Sequence, residues 1–292
     1  MLPYRSRLSV AVFLTPPLLL FGGGVLLPIV QSLGLSFYEW DGITGLDFVG
    51  LANYRSLLLD DDVFRTAFVN QLVYLVICLL LQVGGGLLVA TLLMTITRGR
   101  EMLKVLYLMP AVISTPAIAL LFQRIYSFEP VGLVNTLLGA VGLDALARPW
   151  LSDVSTVLAA VSAPEGWRFL GLYTVILYAA LLAVPKELEE AASLDGANPF
   201  QVFTRIRFPH IMPVFVTTMI MATTYALRGF DIPFLLTNGG PGQASELVTT
   251  YMYKTAFTSG HFGSASAISV IIVLECLVAV GLILLLLRRK AD

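Results

Sequence analysis

The chain has 292 residues, of which 57% are hydrophobic and 13% charged, with a mean hydropathy of +0.85 and a formal net charge of −1. Soluble domains carry about 25% charged residues, so this composition excludes an ordinary soluble domain and places the chain in a bilayer. A nucleic-acid partner needs a basic patch, and this charge balance supplies none.

A spanning helix needs roughly 20 mostly apolar residues. The first segment that qualifies is 8–33. Arg5 and Arg7 before an apolar run resemble a signal peptide, but no A-x-A-like cleavage site follows and the run continues to Leu33, so a retained helix is expected. The outer loop 39–68 reads as short turns and a small helix, with Trp40-Asp41-Gly42 as a turn and periodicity from Asn53 to Leu59. The second span is 69–96 and the third 105–125. The loop 128–153 leads to the fourth, 154–184, whose apolar pattern is interrupted by Pro164, Glu165, Gly166, Trp167 and Arg168. The fifth, 211–236, ends at the Gly-rich stretch Thr237-Asn238-Gly239-Gly240-Pro241-Gly242, and the sixth is 264–287.

Six spans put both termini on one side, and cytoplasmic loops are enriched in Lys and Arg. With the termini inside, the inner segments hold Arg5, Arg7, Arg98, Arg100, Lys104, Lys186, Arg205, Arg207, Arg288, Arg289 and Lys290, whereas the outer loops hold Arg55, Arg65, Arg148 and Lys254. Eleven against four favours cytoplasmic termini. The expected fold class is an all-α polytopic membrane protein, one domain over residues 1–292.

Helix-breaking residues recur inside the spans: Pro16, Pro17 and Pro28, then Gly84-Gly85-Gly86, then Pro110 and Pro116. They serve either as hinges of a moving pore or as sites of close packing and tilt. Cys78 and Cys276 lie within spans and read as small apolar filler, not as metal ligands or an exposed disulfide framework. The run after Asn238 is no phosphate cradle, because a P-loop needs Lys-Ser or Lys-Thr after its glycines and Gln243-Ala244-Ser245 follows. No HExxH, GxSxG or paired-Cys signature occurs, so neither a catalytic residue nor a metal site is expected.

The segment 185–213 is polar and partly amphipathic. Leu188, Ala191, Ala192 and Asp195 recur at helical spacing, Asp195-Gly196 signals a turn, and Asn198 with Pro199 suits the start of a second helix. Phe200, Phe203 and Ile206 give that helix an apolar face, and Pro209 and Pro213 are expected to stop it before the next span. An amphipathic loop on the membrane surface explains helix-turn-helix alone.

The longer string is more specific. Leu182-Ala183-Val184-Pro185-Lys186-Glu187-Leu188-Glu189-Glu190-Ala191-Ala192, then Asp195-Gly196-Ala197 and Arg207-Phe208-Pro209, resembles the EAA segment of the permease subunits of ABC importers, with Phe208 where Leu is usual. Phe48-Val49-Gly50-Leu51-Ala52-Asn53-Tyr54, Gly132-Leu133-Val134-Asn135, Phe230-Asp231, Leu236 to Gly242 and Ser264 to Val270 extend the likeness over nearly the whole chain. It lies with the carbohydrate-uptake permeases related to MalF and UgpA, without the large outer insertion of the maltose subunit. The resemblance implies a MetI-like permease fold with six helices in the plasma membrane of a prokaryote. It implies a pore half for a sugar or oligosaccharide, working with a second permease, a dimer of ATPases and an extracytoplasmic binding protein. ATP and Mg would belong to the ATPase, and this chain would hold no cofactor. Glu190, Ala191, Ala192, Asp195, Gly196, Ala197 and Pro209 would form the coupling segment.

Polar residues within spans usually face a cavity or the bundle interior. Gln123, Tyr126, Glu165, Trp167, Arg168, Tyr225, Arg228 and Asp231 are the candidates for a solute path, with Gln82, Arg124, Tyr173, Tyr178 and Glu275 behind them. For each taken singly, interfacial or structural duty is the competing account, and Arg228 with Asp231 is spaced to form an i, i+3 pair. Other readings are a permease for another solute, such as glycerol phosphate or amino acids, and a secondary carrier. The carrier reading requires internal symmetry and mid-membrane ion ligands, which the sequence does not show. A membrane enzyme would need a catalytic constellation, and none is present.

Overall fold

The structure is a computed structural model and describes residues 7–43 and 45–288. Arg5, Arg289 and Lys290 lie outside the described residues. The chain divides into two compact units, Met1–Asp61 with Met252–Val273, and Asp62–Tyr251 with Leu274–Asp292.

In the first unit, α1 runs as Arg7–Phe21, a π-helical turn Gly22–Leu26 and Leu27–Leu35. Pro16 and Pro17 lie inside it, and just before them the Thr15 hydroxyl donates to the Ala11 carbonyl at 2.7 Å. None of its most apolar window is buried, as suits a helix facing hydrocarbon. A two-stranded antiparallel ribbon follows, β1 (Tyr38–Glu39) with β2 (Asp47–Phe48), where only turns were expected. Then comes α2, Ala52–Arg55 with a π turn Ser56–Asp60. Asn53 staples this unit: its amide donates to the Ser36 and Tyr38 carbonyls, each at 3.0 Å, and its oxygen accepts from Ser264 at 3.2 Å.

The second unit is built around α7 (Val157–Leu182), the segment whose apolar pattern was broken by charges. Against it pack α3 (Asp62–Leu79, π turn Leu80–Gly84, Gly85–Thr95), α4 (Arg100–Val112), α9 (Pro199–Val202, π turn Phe203–Arg207, Phe208–Leu227) and α10 (Asp231–Thr237). The principal core joins Val83, Ala90 and Leu93 of α3 to Tyr173, Leu177 and Leu181 of α7 and Ile211 and Ala222 of α9. The short helices α6 (Leu133–Ala140) and α8 (Lys186–Leu194) lie outside this core; α11 (Val248–Phe257) and α12 (Phe262–Arg288), each shared between the two units, complete the order.

Three glycines, Gly86, Gly166 and Gly171, are sites of close packing. A Cβ on Gly86 would stand 3.1 Å from the Thr174 nitrogen, one on Gly166 would stand 2.7 Å from Leu81 Cβ, and one on Gly171 would overlap the Tyr107 carbonyl. Small residues let membrane helices approach backbone to backbone, and here they seat α3 and α4 on α7.

Two expected spans are corrected. The third, 105–125, is two helices, α4 and α5 (Thr115–Ile125), bent by 101°. Ile113 and Ser114 are extended between them: in a continuous helix the Pro116 ring would meet the Val112 carbonyl, whereas in the first turn of α5 its missing donor costs nothing, and Pro110 has already weakened the ladder. The fifth, 211–236, starts earlier and stops sooner. Here α9 runs Pro199–Val202, π turn Phe203–Arg207, Phe208–Leu227, and Pro209 and Pro213 do not stop it. The π turn widens the helix where the Pro209 ring would otherwise meet the carbonyl of Arg205. Among the described residues four helices are long and apolar enough to cross a membrane, or up to six if each bent pair counts as one span.

Candidate functional site

The coupling segment folds as two helices around a sharp turn. Helix α8 ends in a Schellman motif: the Ala197 N–H donates to the Ala192 carbonyl at 2.9 Å and the Gly196 N–H to Ser193 at 3.1 Å, with Gly196 at φ +82°. Helix α9 opens with a reciprocal capping box. The Gln201 N–H donates to Asn198 Oδ1 and the Asn198 N–H to Gln201 Oε1, both at 2.9 Å. Pro199 occupies the first turn, where its missing donor costs nothing.

The angle between these helices is held by a pair that sequence spacing did not reveal. Arg207 donates from Nε and Nη2 to the two carboxylate oxygens of Glu189, each at 2.6 Å. The guanidinium lowers the Glu189 carboxyl below its ordinary range, and the carboxylate raises Arg207. Beside them Ala192, Asp195, Gly196, Ala197, Gln201, Arg205 and Ile206 line a groove of about 380 Å³. Glu190 and Ala191 are exposed, and Leu194 and Phe200 present 90% and 74% of their surface at the tip. Pro209 stands apart from the turn, in the shaft of α9.

A second site lies along α9. A cavity of about 510 Å³ is lined by Tyr74 of α3, Glu165 and Arg168 of α7, and the end of α9 through the start of α10, from Ile220 to Pro233. Five expected residues meet here: Glu165, Arg168, Tyr225, Arg228 and Asp231. Glu165 is buried, with Arg168, Asp231 and the Tyr225 hydroxyl as its electrostatic neighbours. Arg168 donates to Thr115 Oγ1 at 3.0 Å while its Nε has no partner among the described residues. The i, i+3 pair of Arg228 and Asp231 is not formed, since no ion pair joins them among the described residues. Helix α9 ends at Leu227, so helical spacing does not hold across 228–231. Asp231 instead opens α10, where a carboxylate suits the positive end of the helix.

The remaining candidates lie elsewhere. Gln123 donates to the Leu235 carbonyl at 3.2 Å and ties α5 to α10. Trp167 packs edge-on to Phe122, which in turn packs on Tyr126, each with centroids 5.6 Å apart. Glu275 does not line the cavity, and neither of its carboxylate oxygens has a partner among the described residues. Tyr74 was missed, although a signal was present: Gln71, Tyr74, Cys78 and Gln82 are polar or polarisable at i, i+3, i+7 and i+11 in an apolar run, and all four are buried.

Residues 82–292 match the family described as "Binding-protein-dependent transport system inner membrane component". The chain belongs to this family. The permease is 38% identical over 275 residues to the "Probable ABC transporter permease protein YurN" of Bacillus subtilis (strain 168), covering 92% of each chain. It is 28% identical over 261 residues to the "Multiple sugar-binding transport system permease protein MsmF" of Streptococcus mutans, covering 89% of this chain and 88% of that one. Its fold is that of a chain in the crystal structure of a bacterial ABC transporter involved in import of the acidic polysaccharide alginate. The TM-score there is 0.82 at 22% identity, with 97% of this chain and 96% of that one covered. The permease is thus a membrane component of a binding-protein-dependent ABC transporter with a MetI-like fold.

Proposed function

We propose that the permease forms half of the translocation pathway for a sugar or oligosaccharide, in an importer whose ATP is hydrolysed by separate subunits. The observation that carries this reading is the continuity of α9. One helix leaves the turn at Gly196–Asn198 and reaches the cavity at Ile220–Tyr225 without interruption. A displacement applied at the turn is therefore delivered to the cavity as motion of one element, which is what coupling requires.

The exposed tip at Leu194 and Phe200, with Glu190 and the groove beside Gly196, is the surface offered to an ATPase, which would carry ATP and Mg. A similar second permease would close the pathway, lipid would cover α1, and a binding protein would deliver the solute from outside. The sugar class is supported by the sugar-transport name of MsmF. The basic asymmetry supports cytoplasmic termini in a prokaryotic plasma membrane.

Purification from the native host tests this directly. An ATPase and a second permease are expected to co-purify. Vesicles holding this chain alone are expected neither to hydrolyse ATP nor to take up solute. Uptake by the lone chain overturns the subunit reading.

A further inference from the structure

We infer that the turn between α3 and α4 holds the head group of an anionic phospholipid, with an acyl chain lying along the exposed face of α4. This site goes beyond the translocation pathway and does not depend on it.

Arg98, Arg100 and Lys104 crowd this turn, and the carboxylate among them is Glu101. Lys104 pairs with Glu101 at 2.7 Å, but the Glu101 side chain is 84% exposed, so water screens most of its charge. The Arg100 guanidinium and the Lys104 ammonium both stand over the ring of Tyr178, 5.6 and 5.4 Å from its centroid. That buried ring of α7 holds two cations near one another, where they repel. Arg100 donates from Nε to the Ile96 carbonyl at 2.8 Å, which occupies one edge of the guanidinium. Arg98 is exposed and joins no ion pair among the described residues. Three cations thus share one solvated carboxylate. A phosphodiester supplies the missing negative charge and accepts hydrogen bonds from all three.

The apolar surface beside these cations has the matching shape. Met102, Val105, Leu106, Met109 and Val112 are all exposed, and they recur at i, i+3, i+4, i+7 and i+10, so they form one stripe along α4. At 1.5 Å per residue the stripe is about 15 Å long, the depth of one leaflet of a hydrocarbon core of roughly 30 Å. It ends where the chain bends at Ile113–Ser114. Methionine side chains adapt to a partner of no fixed shape, as an acyl chain is. Positive charge at one end of an apolar stripe of leaflet length is complementary to an anionic phospholipid. A neutral lipid would leave the cations unmatched, and a protein helix would cover the stripe without supplying a phosphate. Tyr178 lies one turn before the end of α7 at Leu182, and α7 meets α8 at a bend of 68°. The head group is therefore placed at the base of the coupling segment.

The test uses the transporter purified with its own partners, in nanodiscs of phosphatidylcholine carrying a trace of phosphatidylglycerol with a diazirine in one acyl chain. A matched phosphatidylcholine probe is the comparison, and labelled peptides are mapped by mass spectrometry. The anionic probe is expected to label Met102–Val112 roughly tenfold more than the neutral one. Arg98→Gln is expected to lower that ratio about fivefold and Arg98→Lys to retain most of it. Arg98 has no ion-pair partner among the described residues, so its loss does not put the fold at stake. Excess inorganic phosphate is expected to leave the labelling unchanged, because it brings no acyl chain. A photoreactive phenylalanine derivative at position 109 is expected to crosslink to lipid. Equal labelling by the two probes, an unchanged ratio in Arg98→Gln, or displacement by phosphate overturns the proposal. Crosslinks from position 109 to the second permease also overturn it, because they assign the stripe to a protein partner.

Discussion

Arg207 grips both oxygens of Glu189 at 2.6 Å, and so ties the helix before the Gly196 turn to the helix after it. Both side chains are about a quarter exposed or less, at 24% and 21%. A bidentate, charge-assisted pair of this kind is worth about 1–3 kcal/mol. Glu189→Ala and Arg207→Ala are each expected to lower transport-coupled ATP hydrolysis in the assembled importer, and the exchange Glu189→Arg with Arg207→Glu to recover part of it. Full activity in both single variants would show that the pair does not set the coupling angle.

The same pair dictates a pH response. Glu189 is held below its ordinary value of 4.5 by the Arg207 hydrogen bonds, so its contribution is complete above that value and lost as pH falls through the depressed one. Wild type and Glu189→Gln are thus expected to differ in melting temperature at pH 7 and to converge in the acid range, below the ordinary carboxylate value. A difference that grows on acidification contradicts this.

Gly196 sits at φ +82° with open space where a Cβ would go. Any effect of substitution is therefore conformational, and a β-branched side chain is the least compatible with positive φ. Gly196→Val is expected to leave insertion and subunit pairing intact and to abolish most ATP-driven uptake. Gly196→Asn, which tolerates this conformation, is expected to retain more of it. Wild-type uptake in Gly196→Val would leave the segment as an ordinary surface loop.

Gly171 differs, because a Cβ there would collide with the Tyr107 carbonyl. Gly171→Ala is expected to separate α4 from α7 and destabilise the fold by several kcal/mol, about the upper range for a single substitution. The readout is recovery of folded protein from membranes and its melting temperature. Equal stability would mean that α4 can shift at little cost.

Topology is open to chemical test. Single cysteines at Asp61 and Gly242 are expected to react with an impermeant thiol reagent from outside, in a background lacking Cys78 and Cys276. A cysteine at Ser193 is expected to react only from inside. Outside labelling at position 193 reverses the orientation.

The elements legible in the sequence were those set by local chemistry. Long apolar runs marked the membrane helices, and Asp195-Gly196 with Asn198-Pro199 marked the turn, because a Schellman end and a capping box depend on residues within a few positions of one another. The bend at Ile113–Ser114 was missed, although Pro110 and Pro116 flank it. Proline announces a weakened ladder but not the angle, which depends on what the flanking helices pack against. The continuation of α9 through Pro209 was missed for a related reason: a π turn absorbs the lost donor, and nothing in the local sequence requires one.

The sequence by itself determined that this chain lives in a membrane, where its long apolar segments lie and where the coupling turn falls, since each follows from hydropathy or from bonds within one turn of chain. The tertiary structure decided which polar residues act together. Glu189 and Arg207 are 18 positions apart, and Tyr74 meets Glu165 and Asp231 only because glycines on α3 and α7 let those helices close to backbone contact. It also parted Trp167 from Glu165 and Arg168, because adjacent residues on a helix point to different faces, and tied Gln123 of α5 to α10 instead.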